Sequence, residues 1–404
     1  MEFYTYQLPN GIKGIHRQTR SSVTHCALLI NAGTRDERAG EWGLAHYTEH
    51  AMFKGTTHRK AYHINCRLEN LGGELNAFTT KEDTTIHATT LRTDFTKAVE
   101  LIADVAFNST YPDAEMEREK EVIFEEINTY KDTPSELIYD TFEEMMFEGS
   151  ELGHNILGIK KDIKKFSGDT IRNFTARNYT TDQMVFSSIG NISPKRIETI
   201  AQKYLGDFAT QTRDFEREES KVVDRFEREV NRRTHQTHCM LGGKAYGIKD
   251  PKRLPLSLLI NILGGPSANS LLNLIVREKH GLTYNIEATY TPYTDNGIWN
   301  VYFGAENGAR EKAMELINVQ LDKLATQPLT PRQLSLAKRQ FVAQLAISME
   351  SNEGYMLGAG KSFLVHGSVD TTEEIYRKVA ALTAENIMEV ASEIFKERSI
   401  LIYK

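Results

Sequence analysis

Gly43-Leu44-Ala45-His46-Tyr47-Thr48-Glu49-His50-Ala51-Met52-Phe53-Lys54-Gly55-Thr56 sets two histidines four residues apart with a glutamate between them. The apolar spacing over 44–53 is helical. Residues four apart on a helix share a face, so His46 and His50 direct their imidazoles at one point, with Glu49 beside them. Imidazole nitrogens suit zinc, and a catalytic zinc keeps three protein ligands with the fourth position left for water. The stretch supplies a chelate and a base, and it requires a third ligand elsewhere.

Segment 116–130 reads as a helix dense in carboxylates: Glu117, Glu119, Glu121, Glu125 and Glu126. Glu119 and Glu126 are seven apart, two helical turns, and share a face, while Val122 and Ile123 are placed to pack beside them. One of the two would bind the metal and the other support a histidine. A carboxylate is costly to bury unpaired, so such a helix is either solvated or answered by a cation.

Around these helices the chain alternates strand and helix signals. Leu8-Pro9-Asn10-Gly11 reads as a hairpin turn feeding a strand, and 23–30 as a strongly apolar strand. Helical spacing returns at 62–71, strands at 74–79 and 84–91, and a long amphipathic helix at 95–106 ends near Tyr111-Pro112. The second half repeats the order: a strand near 238–241, a helix at 254–263, two strands across 284–303, then long helices. Lys97-Ala98-Val99-Glu100-Leu101-Ile102 echoes Lys312-Ala313-Met314-Glu315-Leu316-Ile317, which points to duplication. Between the halves, charges of both signs crowd 211–233. The expected fold is α+β, with two related domains, each a mixed, mostly antiparallel sheet packed with helices. Residues 1–210 would form the metal-binding domain, 211–235 a charged linker and 236–404 the second domain.

Composition narrows the function classes. At 404 residues, with 40% hydrophobic and 26% charged, the chain can bury two cores without staples, so a metal would serve chemistry rather than folding. A net charge of −6 with interspersed signs gives no basic stripe for nucleic acid or an anionic membrane. Cys26, Cys66 and Cys239 are odd in number and lack C-x-x-C spacing, which excludes a disulfide framework and fits a reducing compartment. No secretory leader or membrane-length apolar run is visible, and the expected location is cytoplasmic.

The motif and its surroundings resemble the pitrilysin and mitochondrial processing peptidase family of zinc peptidases, whose inverted motif is H-x-x-E-H. Ala32-Gly33-Thr34-Arg35-Asp36-Glu37 upstream and Gly72-Gly73-Glu74-Leu75-Asn76-Ala77-Phe78-Thr79 downstream are similar to that family's segments, in its order. So are Leu263-Gly264-Gly265-Pro266-Ser267 and Arg277-Glu278-Lys279-His280-Gly281-Leu282-Thr283-Tyr284 in the second half. The resemblance spans essentially the whole chain and implies a half-size, two-domain member.

That resemblance makes Glu126 the third ligand to one zinc per chain and Glu119 its supporting carboxylate, with Glu125 the nearest rival. It implies that Arg277 and Tyr284 contact substrate, the tyrosine donating to a developing oxyanion. An extended peptide or unfolded segment would pair along Leu75, Asn76, Ala77, Phe78 and Thr79. It further implies a homodimer, or a heterodimer with a homologue, in which Arg277 and Tyr284 act in trans and the site is enclosed. The alternative within the same fold is a non-catalytic or peptide-binding scaffold subunit. Tyr47 and Thr48 replace a more apolar pair, and no ligand is lost with them. The second half carries no H-x-x-E-H, and its helix at 331–345 has no carboxylate, so zinc belongs to the first domain.

Overall fold

The computed structural model describes residues 2–232, 234–306 and 308–404. β1 (Tyr4–Gln7) and β2 (Lys13–Gln18) pair antiparallel around a turn in which Gly11 takes a φ of 100°, a left-handed conformation open to glycine. β3 (Val23–Ile30) leads to α1 (Leu44–Met52) and α2 (Ala61–Glu69), followed by the β4 (Glu74–Thr79) and β5 (Thr84–Leu91) hairpin. Then come α3 (Phe95–Asn108), α4 (Asp113–Lys131), α5 (Pro134–Met146), α6 (Lys160–Ile163), α7 (Gly168–Asn178), β6 (Met184–Gly190) and α8 (Pro194–Leu205).

The second half holds β7 (Glu227–Val230), β8 (Thr237–Ala245), α9 (Arg253–Gly264), a π-helical segment (Asn273–Lys279), β9 (Ile286–Pro292) and β10 (Gly297–Ala305). It ends with α10 (Arg310–Thr326), α11 (Pro331–Ser348), α12 (Asn352–His366), α13 (Thr372–Ala381), α14 (Ala384–Ile394) and β11 (Ser399–Tyr403).

The six-stranded sheet has the order β1-β2-β6-β3-β5-β4, and the five-stranded sheet β7-β11-β8-β10-β9. In each sheet one pair is parallel, β2 with β6 and β7 with β11, and the remaining pairs are antiparallel. Without β1, the first sheet has the topology of the second, which is the α+β duplication that the sequence echo predicts. The strands at 184–190, 227–230 and 399–403 carry no turn or alternation signal strong enough to find them from sequence. Two of them, β6 and β11, are inner strands buried along nearly their whole length, so no alternation of apolar and polar residues marks them.

Each sheet's core follows from helix amphipathicity. α3 buries Phe95, Ala98, Val99, Leu101, Ile102 and Val105 against the first sheet, each large side chain contributing roughly 1.5–3 kcal/mol of transfer free energy. In the second, Trp299, Val301 and Phe303 of β10 meet Leu256, Leu259 and Leu263 of α9 in one core.

The compact units are interleaved along the chain. One comprises residues 1–127, 154–218 and 347–369; the other comprises 128–153, 219–346 and 370–404. α12 therefore packs on β6 and β3 of the first sheet, and α5 on β8 and β11 of the second. Within the charged segment 211–235 the division falls between residues 218 and 219, and its later part forms β7. Its charges are not all solvated: Arg217 is 12% exposed and donates to both carboxylate oxygens of Asp36, at 2.9 and 2.7 Å. Such a bidentate pair anchors chain that composition alone presents as a loose connector. No helix among the described residues is long and apolar enough to cross a membrane.

Candidate metal centre

The helix that carries the histidines is set by its own ends. Gly43 precedes α1 with a φ of 96°, and a Cβ there would lie 2.8 Å from the Gly158 Cα. The Glu37 carboxylate accepts from the free backbone N–H groups of Gly43, at 3.0 Å, and Ala45, at 2.7 Å. An anion at a helix N-terminus satisfies both the open donors and the dipole. Burial pushes the Glu37 carboxyl up, partly offset by the His154 ring and those two N–H groups. Tyr47, fully buried, donates its hydroxyl to the Met116 carbonyl at 2.6 Å and ties α1 to α4.

This tie brings His46, His50 and Glu126 together, with one ligand atom from each lying within 4.8 Å of the others. Glu126 Oε2 is 3.8 Å from His46 Nε2 and 3.7 Å from His50 Nε2. These separations are too long for hydrogen bonds. They suit a shared ion, since tetrahedral legs of roughly 2.1 Å hold ligand atoms about 3.4 Å apart. It is the one such group among the described residues. Glu125 and Glu126 are both exposed, and only Glu126 belongs to it.

His50 Nδ1 lies 2.8 Å from Glu119 Oε1. A carboxylate only accepts, so Nδ1 carries a proton, and in the neutral ring that leaves the Nε2 lone pair for a metal. Glu119 is 5% exposed, and its other oxygen is paired with Lys54 Nζ at 2.6 Å. Burial raises the Glu119 carboxyl, but the hydrogen bonds from His50 and Lys54 outweigh it and hold the group below its usual range. The His46 imidazole is pushed down to about 3, first by burial and then by His50, so it is neutral and free to ligate. Burial also pulls His50 down, yet Glu119, Glu49 and Glu126 carry it above its ordinary value. The carboxylates Glu49, Glu119 and Glu126 outnumber Lys54, which pairs with Glu119, and a divalent ion would answer them. The donor set of two imidazoles and one carboxylate oxygen fits zinc.

Glu49 is half-buried, and the Thr79 hydroxyl donates to its Oε2 at 2.8 Å. Burial raises its carboxyl; Thr79 and His50 oppose that, and Glu126 adds to it. Thr79 ends β4, the edge strand of its sheet. Along β4, Leu75, Ala77 and Thr79 are half-buried on one face, and Asn76 and Phe78 are exposed on the other. Arg277 and Tyr284 belong to the other compact unit. The Arg277 side chain is 47% exposed and lies 3.8 Å from Glu278, while Tyr284 is 87% exposed.

Sequence reasoning did not assign Glu37, Lys54, the Tyr47 hydroxyl or the Thr79–Glu49 contact. Glu37 and Lys54 stand inside the motif segments, so position alone was a signal. The tyrosine's role depends on a backbone carbonyl 69 residues away, which no local pattern encodes.

Comparison with known proteins gives concordant results. Residues 15–160 match the family described as Insulinase (Peptidase family M16), and residues 165–341 match the one described as Peptidase M16 inactive domain. The chain is 31% identical to an uncharacterized zinc protease of Bacillus subtilis, YmxG, over 97% of this chain and 95% of that protein. It is 29% identical to an uncharacterized zinc protease of Streptomyces coelicolor, over 98% and 87%. The crystal structure of a protease from Helicobacter pylori superposes with a TM-score of 0.92 at 21% identity, covering 100% of this chain and 99% of that one. A structure described as a peptidase M16 inactive domain from Pseudomonas fluorescens also gives 0.92, at 20% identity, covering 100% and 98%.

Proposed function

The chain belongs to the M16 (insulinase) peptidase family, and from that premise we propose that it is a zinc metalloendopeptidase acting on short or unfolded peptides, with Glu49 as its base. The observation that carries the reading is the convergence of His46, His50 and Glu126 beside a half-buried Glu49 held by the end of an edge strand. Zinc is the cofactor, one ion per chain, and bound there it supplies Lewis acidity that lowers the pKa of water to roughly 7. Glu49 takes the proton from the attacking water and returns it to the leaving amine. Its burial supports this role, because a carboxyl raised above its ordinary range is a better proton acceptor. Glu119 fixes the His50 tautomer throughout.

Peptide backbone would pair with the open edge of β4 along Leu75 to Thr79, placing the scissile carbonyl near the residue that holds Glu49. Recognition through main chain favours broad sequence tolerance. Arg277 would hold a substrate carbonyl and Tyr284 would donate to the oxyanion; their exposure supports a role completed by substrate or a second chain. We place them in trans in a homodimer that encloses the site, with a heterodimer of homologues as the variant arrangement.

The test is cleavage of a quenched mixed-sequence peptide by wild type and Glu49→Gln, with zinc counted in both. The reading expects turnover in wild type and none in the mutant, at equal zinc. A wild type that holds zinc and cuts nothing favours the scaffold alternative. Mixing Glu49→Gln with Arg277→Ala protein tests the trans arrangement, since partial recovery of activity requires two chains per site.

A further inference from the structure

We propose that the β4–β5 turn, residues 80–83, is a charge-clamped platform that positions Glu49, and that Lys361 and Arg217 are its positioning residues; this rests on the peptidase reading above. Two strands in a hairpin can be joined by a solvated polar turn. This turn instead buries three consecutive charged residues: Lys81 is 6% exposed, Glu82 9% and Asp83 3%. Burial of that kind is costly unless each charge is answered. Each one is, by a different segment. Lys81 Nζ donates to the His154 carbonyl. Glu82 pairs with Arg35 at 2.7 Å, and its carbonyl accepts from Arg217 at 2.7 Å. Asp83 pairs with Lys361 Nζ at 2.5 Å.

The platform closes a ring around the base. Thr79, immediately before the turn, donates to Glu49. Within the turn, the Thr80 hydroxyl donates to Asp83 Oδ1 at 2.9 Å and accepts from the Asp83 N–H at 3.0 Å. The turn is bonded to the segment that ends in Glu37: Thr34 N–H donates to the Thr80 carbonyl at 3.2 Å and Arg35 N–H to the Lys81 carbonyl at 2.7 Å. Gly33 is required there, because a Cβ would lie 2.4 Å from the Thr80 oxygen. Glu37 in turn holds the first N–H groups of the helix that carries Glu49. Both sides of the Glu49–Thr79 contact are thus fixed to one backbone frame.

Two of the outer ties come from distant chain. Arg217 bridges Asp36 and Glu82, and Lys361 lies on α12, which falls between β10 and β11 of the second sheet in sequence. Neither touches the metal ligands. Loss of either would loosen the turn and let Thr79 and Glu49 drift, without removing a donor from the metal site.

The primary variant is Lys361→Met, since its side chain is 41% exposed and its loss leaves the core intact. Arg217→Met is the second, with thermal melting followed alongside. The expected result is a fall in kcat of about ten- to a hundredfold, the scale of a displacement near 1 Å, with KM and bound zinc unchanged. Lys361→Arg restores most of it. Independently of turnover, amide exchange over 79–84 rises, and a peptide hydroxamate whose proton Glu49 must accept binds more weakly. Wild-type exchange and wild-type hydroxamate affinity in Lys361→Met overturn the proposal, as does a kcat loss that only tracks melting temperature and is not recovered by arginine. Failure of the peptidase reading is visible separately, in wild type and Glu49→Gln, and the exchange and affinity measurements still decide the clamp.

Discussion

The two sheets share one topology, yet the helix pairs packed with them differ in kind. On the first, α1 and α4 carry His46, Glu49, His50, Glu119 and Glu126. On the second, α9 and α11 contain no histidine and no carboxylate, and are joined by Asn261 donating to Gln344 at 2.7 Å. Neutral amides satisfy each other and need no ion, whereas buried His46 and Glu119, with His50 and Glu126 beside them, form a polar cluster that a cation would stabilise. The backbone frame is common to both; the chemistry lies in a few side chains on two helix faces. The match of residues 165–341, which include α9 and most of α11, is to a domain described as inactive.

The contrast is broken most directly by exchanging outcomes between the pairs. His50→Ala should lower bound zinc from one per chain to near none and abolish peptide cleavage, whereas Asn261→Ala should leave both unchanged; metal analysis of the two proteins decides this. Glu119→Gln comes next. It keeps the ligands but takes the charge from beside Lys54 and weakens the hold on the His50 tautomer, and zinc affinity should fall about 10–100-fold. Competition with a chelator measures it.

Smaller effects concern how each pair is held. Tyr47→Phe removes the second hydrogen bond to the Met116 carbonyl, which α4 still satisfies, at about 0.5–1.5 kcal/mol; Gln344→Ala should cost about 1 kcal/mol and no zinc. Denaturant unfolding would separate them. Smallest is a pH effect common to both sheets. His16 of β2, bonded to Ser188 and the Ile192 carbonyl, and His238 of β8, bonded to Tyr302, are both lowered from 6.5 by burial. The unfolded chain binds these protons more readily, so their contribution is complete above pH 6.5 and declines as pH falls below it. Stability measured from pH 7.5 to 5 should slope accordingly, and His16→Gln should flatten part of the slope.

How much of this the sequence made legible follows from the range of each interaction. The histidines and Glu49 were readable because a helix fixes their relation within five residues, and Glu119 with Glu126 because seven residues make two turns. Choosing Glu126 as the ligand took the family resemblance; its Oε2 lies 3.7–3.8 Å from the two Nε2 atoms. The duplicated α+β design was visible in the echoed helices. The assignment of α5 and α12 to their units was not, since chain path rather than any local pattern sets which sheet each helix packs on. Arg217 and the charged turn at Glu82 were equally opaque: a buried ion pair and a solvated charge have the same letters. The inward strands β6 and β11 were missed because full burial removes the period-two pattern.

The central claim is that His46, His50 and Glu126 share one zinc. Zinc absorption-edge spectroscopy on the purified protein tests it most directly, with Glu126→Ala alongside. The expected result is one zinc per chain in a shell of two imidazole nitrogens plus oxygens, with an altered shell or lost metal in the mutant. Sulfur in the shell, a single imidazole, or an unchanged spectrum in Glu126→Ala would contradict it.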